Sequence, residues 1–398
     1  MKITAALRIA GLLLLCLVAG CAKPPAPEGP LVRLAPASQP DFADDLAFEG
    51  LVESLTESLK YLRRLPADTP FRFGADTYDA AHMIRSIERF LAYIKSRPSP
   101  EALGDFIRRQ YRVYRAAGGD SGKVLFTGYY EPFLIGSRQR SAAFSHPIYG
   151  PPDDLAVVDL AAFSEKLAGK KIVGRVSGRT FVPYHDRKEI DGDGALQGKA
   201  PVLAWVSDPA ALFFLQIQGS GKVFLENGDV LNVHYHSSNG RPYRSIGSLL
   251  IRENKIPREL MSMQKIRAYL REHPDEMERI FNYNPSYVFF SLEKDGPYGA
   301  IRAKLAPGRA IAVDRKIFPM GAVAFIQAQK PAADGDGAGT PLSWEPFSRF
   351  VSSQDTGGAI KGPGRADIFW GSGPYAEVAA GHLKHPGDLY FLVLTPGV

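Results

Sequence analysis

Cysteine is nearly absent: the 398-residue chain has two, Cys16 and Cys21, both ahead of its first proline-rich stretch. Beyond them a disulfide framework, a thiol nucleophile and a cysteine-ligated zinc site are all excluded. No apolar run approaches the ~20 residues of a spanning helix; the strongest extends only from Ile9 to Val18. Blocks of Lys and Arg are missing too, which leaves nucleic acid without a footprint. A GxSxG elbow, a phosphate-cradling P-loop and a GxGxxG turn after a strand are equally absent, so acyl transfer by that route and nucleotide chemistry drop out.

What the chain does have is 45% hydrophobic and 23% charged residues, the balance of a folded protein long enough for two domains. Its 39 glycines and 31 prolines, with 11% aromatics, favour many short elements joined by turns over a helical bundle. A mainly β protein is expected. The formal charge is +6, falling to +4 without the first 20 residues, which include Lys2 and Arg8 and no acid. That mild excess suits an anionic polymer such as wall glycan bearing carboxylate-rich peptides.

Lys2 and Arg8, the apolar run and then Ala19, Gly20 and Cys21 form a secretory signal with a bacterial lipobox. Residues 1–20 are therefore expected to be removed and Cys21 to be acylated. Ala22 stands where retention at the inner membrane usually places Asp, which favours the periplasmic face of the outer membrane. Residues 21–40 hold the anchor and an extended tether with six prolines. Helical spacing follows at Leu46, Leu51, Leu55, Leu59 and Leu62, again from Met83 to Ile94, and over Pro100 to Ala116. After Gly118 the texture turns to strands, among them "KVLFTGYYEPFLIG", "PVLAWV", "ALFFLQIQGSG" and "VFLENGDVLNVHY", with "ENGD" as a hairpin turn. Helices return over Ser262 to His273 and Asp275 to Phe281.

Two "DGDG" stretches invite a calcium reading. The first, at Asp191, places Val202 where a bidentate Glu belongs. The second puts Asp334, Asp336, Gly339 and Glu345 at calcium-loop offsets, but Ala338 replaces a ligand and Pro341 interrupts the loop, so ordinary turns are expected at both. His234 and His236 alternate on a strand without a third ligand nearby, and a hydrogen-bonded or exposed pair is the better reading. No metal site is expected. Carboxylates and aromatics remain, the equipment of carbohydrate chemistry, where a carboxyl kept protonated by apolar surroundings delivers a proton to the leaving oxygen. Asp367, followed by Ile368, Phe369 and Trp370, is such a candidate, although spacing alone leaves a turn-forming aspartate open.

The segment "SSQDTGGAIKGPGRADIFWGSGPYAEVAAG", preceded by "GRAIAVDRKIFPMGA", resembles the three-aspartate domain of the membrane-bound lytic murein transglycosylase A family. "FTGYYEP", "YHDRKEI", "FFLQIQGSG", "NGRPYRSIG" and "NPSYVFF" resemble that family's other motifs in the same order. The resemblance implies a double-psi β-barrel formed by residues 41–132 and 291–398 with N-terminal helices, and an inserted second β-domain over 133–290. It implies that Asp367 is catalytic with Asp355 and Asp314 as companions, and that peptidoglycan is cut to 1,6-anhydro-muramoyl ends without metal or cofactor. Tyr129, Tyr130, Gln218, Ser220 and Trp370 are the expected sugar contacts, since rings cover sugar faces while amides and hydroxyls bind their edges. Partners implied are glycan strands, the outer membrane through the anchor, and a cell-wall synthesis or remodelling complex. An endoglucanase-like hydrolase and a lipoprotein that binds glycan without cutting it are the alternatives.

Overall fold

The computed structural model describes residues 29–332 and 343–398. The expected signal segment, Cys21, the tether up to residue 28 and Asp334, Asp336 and Gly339 of the second acidic stretch lie outside the described residues. The rest of the expected tether is folded, which corrects its boundary: Leu31–Arg33 is a strand paired with Tyr111–Ala116, and Leu31 is buried. One well-buried leucine and three paired residues hold this proline-rich segment against the sheet.

Six strands close into a barrel. In chain order they are β1 (Val124–Glu131), β2 (Ala310–Ala312), β3 (Val323–Pro331), β4 (Trp344–Asp355), β5 (Arg365–Ser372) and β6 (Lys384–Leu394). Around the barrel they run β6-β3-β4-β2-β5-β1, and β1 pairs again with β6. β2 lies parallel to β4 and β5 parallel to β1, while the remaining neighbours are antiparallel. The mainly β, barrel-plus-insert architecture expected from the sequence is what is found. Alternation along the strands assigns their faces. Ile311, Ile368 and Trp370 join the large core with Phe325, Phe350 and Phe391. Tyr129, Ala310, Ala312 and Phe369 form a separate small cluster on the other face of the wall.

The N-terminal helices Leu51–Leu62, Ala80–Ile94 and Pro100–Gln110 pack on this barrel, the second capped by Asp79 and the third by Ser99. The third stops six residues short of the helix expected to Ala116, because Tyr111, Val113 and Tyr114 bury in a strand beside β6. The loop before the first helix is locked by a fully buried ion pair: Arg309 donates to both carboxylate oxygens of Asp44 at 2.6 and 2.8 Å and to the Phe350 carbonyl at 2.8 Å.

The insert carries a six-stranded sheet ordered Val288–Glu293, Val230–Ser238, Ser220–Leu225, Phe133–Ser137, Val202–Val206, His146–Tyr149, and a three-stranded sheet of Ala156–Asp159, Lys171–Ser177 and Thr180–Pro183. "ALFFLQIQ", expected as a strand, is a helix over Pro209–Gln218. Asp208 accepts from Ala210 N at its start, Pro209 fits the first turn, and Gly219 ends it in the left-handed region at φ 84°. Seven of its ten residues are buried, which is why its apolar pattern has no period to read. Arg187 fixes that helix in place: buried between the rings of Phe213 and Tyr287, it donates to Gln216 Oε1 at 2.6 Å and to the Asn284 and Ser286 carbonyls. The "ENGD" turn is a hairpin as expected, with Phe224 opposite Val230 and Gly228 at φ 88°.

His234 and His236 do not share a face. A register shift after Tyr235 breaks the alternation, so His234 is buried and His236 exposed. Among the described residues no three His, Cys, Asp or Glu side chains group as a metal site. Asp191 of the first acidic stretch ends the short helix Arg187–Asp191 and accepts from Arg187, and Glu345 of the second belongs to β4.

Candidate active site

β2 separates the two central carboxylates. Ala312 pairs with Asp367 of β5 on one side and with Asp355 of β4 on the other. Both aspartates therefore flank one small side chain, Ala312, which is itself buried with Tyr129, Leu305 and Phe369. Asp367 also lies directly beside Thr127 of β1, whose hydroxyl donates to Asp367 Oδ1 at 2.7 Å.

The two carboxyl groups are held differently. Asp355 accepts three hydrogen bonds, from Tyr129 Oη at 2.8 Å, Ala300 N at 2.9 Å and Thr356 N at 2.8 Å. Asp367 accepts the single bond from Thr127. Each side chain keeps a partly accessible edge while protein atoms crowd its carboxyl. Burial pushes Asp367 up to about 6, helped by the charge of Asp355 and opposed by Thr127 and Arg365. Burial also pushes Asp355 up to about 6, against its three donors. Burial thus brings both carboxyls to about the same value, and they differ in how many donors hold each one. Three donors favour the anion at Asp355 and only one at Asp367, which leaves Asp367 the less hydrogen-bonded carboxyl of the two. The Tyr129 hydroxyl is driven well up, first by burial and then by the two carboxylates, and keeps its proton.

Asp314 stands apart from this pair. Its carboxylate accepts from Lys316 N at 3.1 Å and Gly362 N at 2.9 Å, and its carbonyl from Ile317 and Phe318. It ties the turn after β2 to the loop between β4 and β5, the loop that joins Asp355 to Asp367.

The expected sugar contacts divide. Tyr129 is brought to the pair through its hydroxyl. Gln218 ends its helix beside the cavity described below, its amide oxygen accepting from Tyr130 N at 3.0 Å. Tyr130, at 3% exposure, and Trp370, at 7%, are corrections: strand alternation turns both into the large core, where they offer no surface to a sugar. Ser220 is buried at the start of a central strand of the insert and is likewise no surface contact. Thr127, Arg365 and the Ala300 amide were not foreseen. The signal for Thr127 was present in "FTGYYEP": a strand that brings Tyr129 to the site brings the residue two before it to the same face. Ala300 lies in a loop 55 residues from its carboxylate partner and had no such signal.

A cavity of about 310 Å³ opens beside Thr127 between barrel and insert. Phe213, Ile217 and Gln218 line it from the insert helix, Tyr243 and Met261 from the segment after it, and Ala380 and Gly381 from the barrel helix Pro374–His382. A second cavity of about 330 Å³ lies at Ala43–Asp45 against Pro346–Ser348. It is remote from both carboxylates, and Asp44 and Asp45 there already hold Arg309 and Arg349. The chemistry, not the volume, picks the first.

Two family models match: the MltA specific insert domain over residues 125–291 and the 3D domain over residues 309–393. Membrane-bound lytic murein transglycosylase A of Escherichia coli (strain K12) is 33% identical over 295 residues, 73% of this chain and 72% of that protein. Its namesake in Vibrio cholerae serotype O1 is 32% identical over 281 residues, covering 70% and 67%. Among solved structures, the membrane-bound lytic murein transglycosylase from Agrobacterium tumefaciens superposes with a TM-score of 0.74 at 29% identity, covering 92% of this chain and 98% of that one. E. coli MltA with bound chitohexaose superposes at 0.69 with 25% identity, covering 95% and 98%.

Proposed function

We propose, for a chain that belongs to the membrane-bound lytic murein transglycosylase A family and is a lytic transglycosylase of peptidoglycan, that Asp367 alone carries both proton transfers of its reaction. The protonated carboxyl donates to the glycosidic oxygen between N-acetylmuramic acid and N-acetylglucosamine as the bond to C1 breaks and an oxocarbenium-like state develops. The carboxylate so formed takes the proton of the muramoyl C6 hydroxyl as that oxygen bonds to C1. The product is a 1,6-anhydro ring, the acid is restored, and no water is consumed. Because the nucleophile belongs to the substrate, its effective concentration is high and no second carboxylate has to position a water.

The observation that carries this reading is the unequal hydrogen bonding of two crowded carboxyls across Ala312. Asp355, anchored by Tyr129, Ala300 and Thr356, holds a negative charge near Asp367 and so keeps the proton there; it also faces positive charge developing at C1. Asp314 acts through the loops it ties together. The cavity beside Thr127 and Gln218 is the glycan groove between barrel and insert, a reading supported by the chito-oligosaccharide held in a relative. The insert is taken to span 133–290, and the anchor at Cys21 with the residues up to 28 to hold the body at the periplasmic face of the outer membrane, where a wall-remodelling complex would meet it. Asp367→Asn tests the central role: it is expected to abolish lysis of a peptidoglycan suspension and leave glycan binding intact, and wild-type lysis would refute it.

A further inference from the structure

The three-stranded sheet of the insert leaves one face without a partner inside the chain. Val158 pairs with Ile172, and Val176 with Phe181, so alternation sets these four on a common face. Gly174 sits between Ile172 and Val176 on the same strand, and the Phe181 ring lies over it, close enough that a Cβ there would stand 2.7 Å from the ring. Ile172 is 43% exposed, Val176 68% and Phe181 37%. In the turn that follows Ala156–Asp159, Phe163 is 76% exposed, more than any other large apolar side chain among the described residues.

Cations outnumber acids around this sheet. Residues 156–183 contain Lys166, Lys170, Lys171, Arg175 and Arg179 against Asp159 and Glu165. Asp159 lies 3.5 Å from Lys171, and among the described residues the other four cations have no ion-pair partner. Alternation turns Lys171 and Arg175 to the opposite face, but Lys166, Lys170 and Arg179 stand in the turns at the two ends of the sheet, and protruding aromatic and branched apolar side chains flanked by such cations match a surface that is apolar within and anionic at its boundary. We propose that this sheet is a second membrane contact, docking on an anionic phospholipid bilayer with Phe163, Val176 and Phe181 inserted below the headgroups and Lys166, Lys170 and Arg179 on the phosphates. This goes beyond the anchored reading and rests on it only for placing the chain near a bilayer. It would hold the insert, and with it the groove, in one orientation to the membrane.

The test uses the full chain on vesicles whose lipids carry bromine in the acyl region, which quenches indole fluorescence on contact. Phe163→Trp and Val176→Trp add reporters on the sheet; Phe133→Trp, 48% exposed on the other sheet of the insert, is the control. Quenching at 163 and 176 but not at 133, on vesicles with a third anionic lipid and not on neutral ones, is expected. Replacing Lys166, Lys170 and Arg179 by Glu should remove it, each cation being worth about fivefold in partition. No quenching on anionic vesicles, or equal quenching at 133, overturns the proposal. Spectral change that rises with protein concentration in the absence of lipid overturns it as well, assigning the face to a second copy of the chain. The variants should still float with the vesicles through the anchor. Failure to float at all strikes the anchored reading instead, so the two failures are told apart.

Discussion

At the residue scale the account depends on where one proton resides. With Asp367 near 6 and required in its protonated form, activity should fall about tenfold per pH unit above that value. Tyr129→Phe removes one of three donors to Asp355, which raises the pH at which Asp355 becomes charged. The expected outcome is a drop in kcat of roughly tenfold with the acidic limb moved upward, read from a pH-rate profile. Stability follows the same linkage with its own sign. The folded state holds Asp367 above its ordinary 3.8, so stability is lost as pH rises from about 4 to about 6 and stays lost above. Asp367→Asn should then be the more stable protein at pH 8 by about 1–3 kcal/mol and lose this advantage at pH 4, as urea midpoints at the two pH values would measure. For Asp367 the neighbours Ile, Phe and Trp pointed to a desolvated carboxyl, which its rise to about 6 matches, while spacing alone left a turn-former open and the catalytic role came from the resemblance. The misreading of Tyr130 and Trp370 came from treating aromatics by type, when their place in the alternation already turned them inward.

At the scale of elements, β2 sets the geometry of the site. Three residues long, it is the spacer between Asp355 and Asp367, and its position is fixed from behind by the buried Arg309–Asp44 pair immediately before it. Arg309→Met should leave Asp44 buried without its counter-charge and cost about 3–5 kcal/mol in guanidinium unfolding, with lysis reduced in the fraction that still folds. The double change Asp44→Asn with Arg309→Met should recover much of that loss, because the buried charge is then gone from both sides. The helix Pro209–Gln218 shows the limit of reading elements from pattern. Buried on nearly every side, it carries no 3.6-residue period, and only its ends, Asp208-Pro209 and Gly219, announced it. Three of the motifs that carry the family resemblance hold structural bonds: Asn239 and Asn284 bond the backbone of the insert, and Arg187 fastens the helix that carries Gln218.

At the scale of the molecule, a closed barrel supplies rigid walls and the insert supplies the facing side of the cavity beside Thr127. The two are joined by packing as well as by chain: Arg267 of the insert donates to Glu377 of the barrel helix at 2.8 Å, and the large core runs through both. Strand content and the order of motifs made the architecture legible, whereas barrel closure through β1 and β6 is a long-range pairing that no local pattern records. The measurement that tests the central claim most directly is the mass of muropeptides released by the wild-type protein in water enriched in oxygen-18. A carboxyl that donates to the leaving oxygen and then accepts from the sugar's own hydroxyl predicts anhydro products, lighter by one water and free of label. Labelled oxygen at muramoyl C1 would contradict it, since water would then have been the nucleophile.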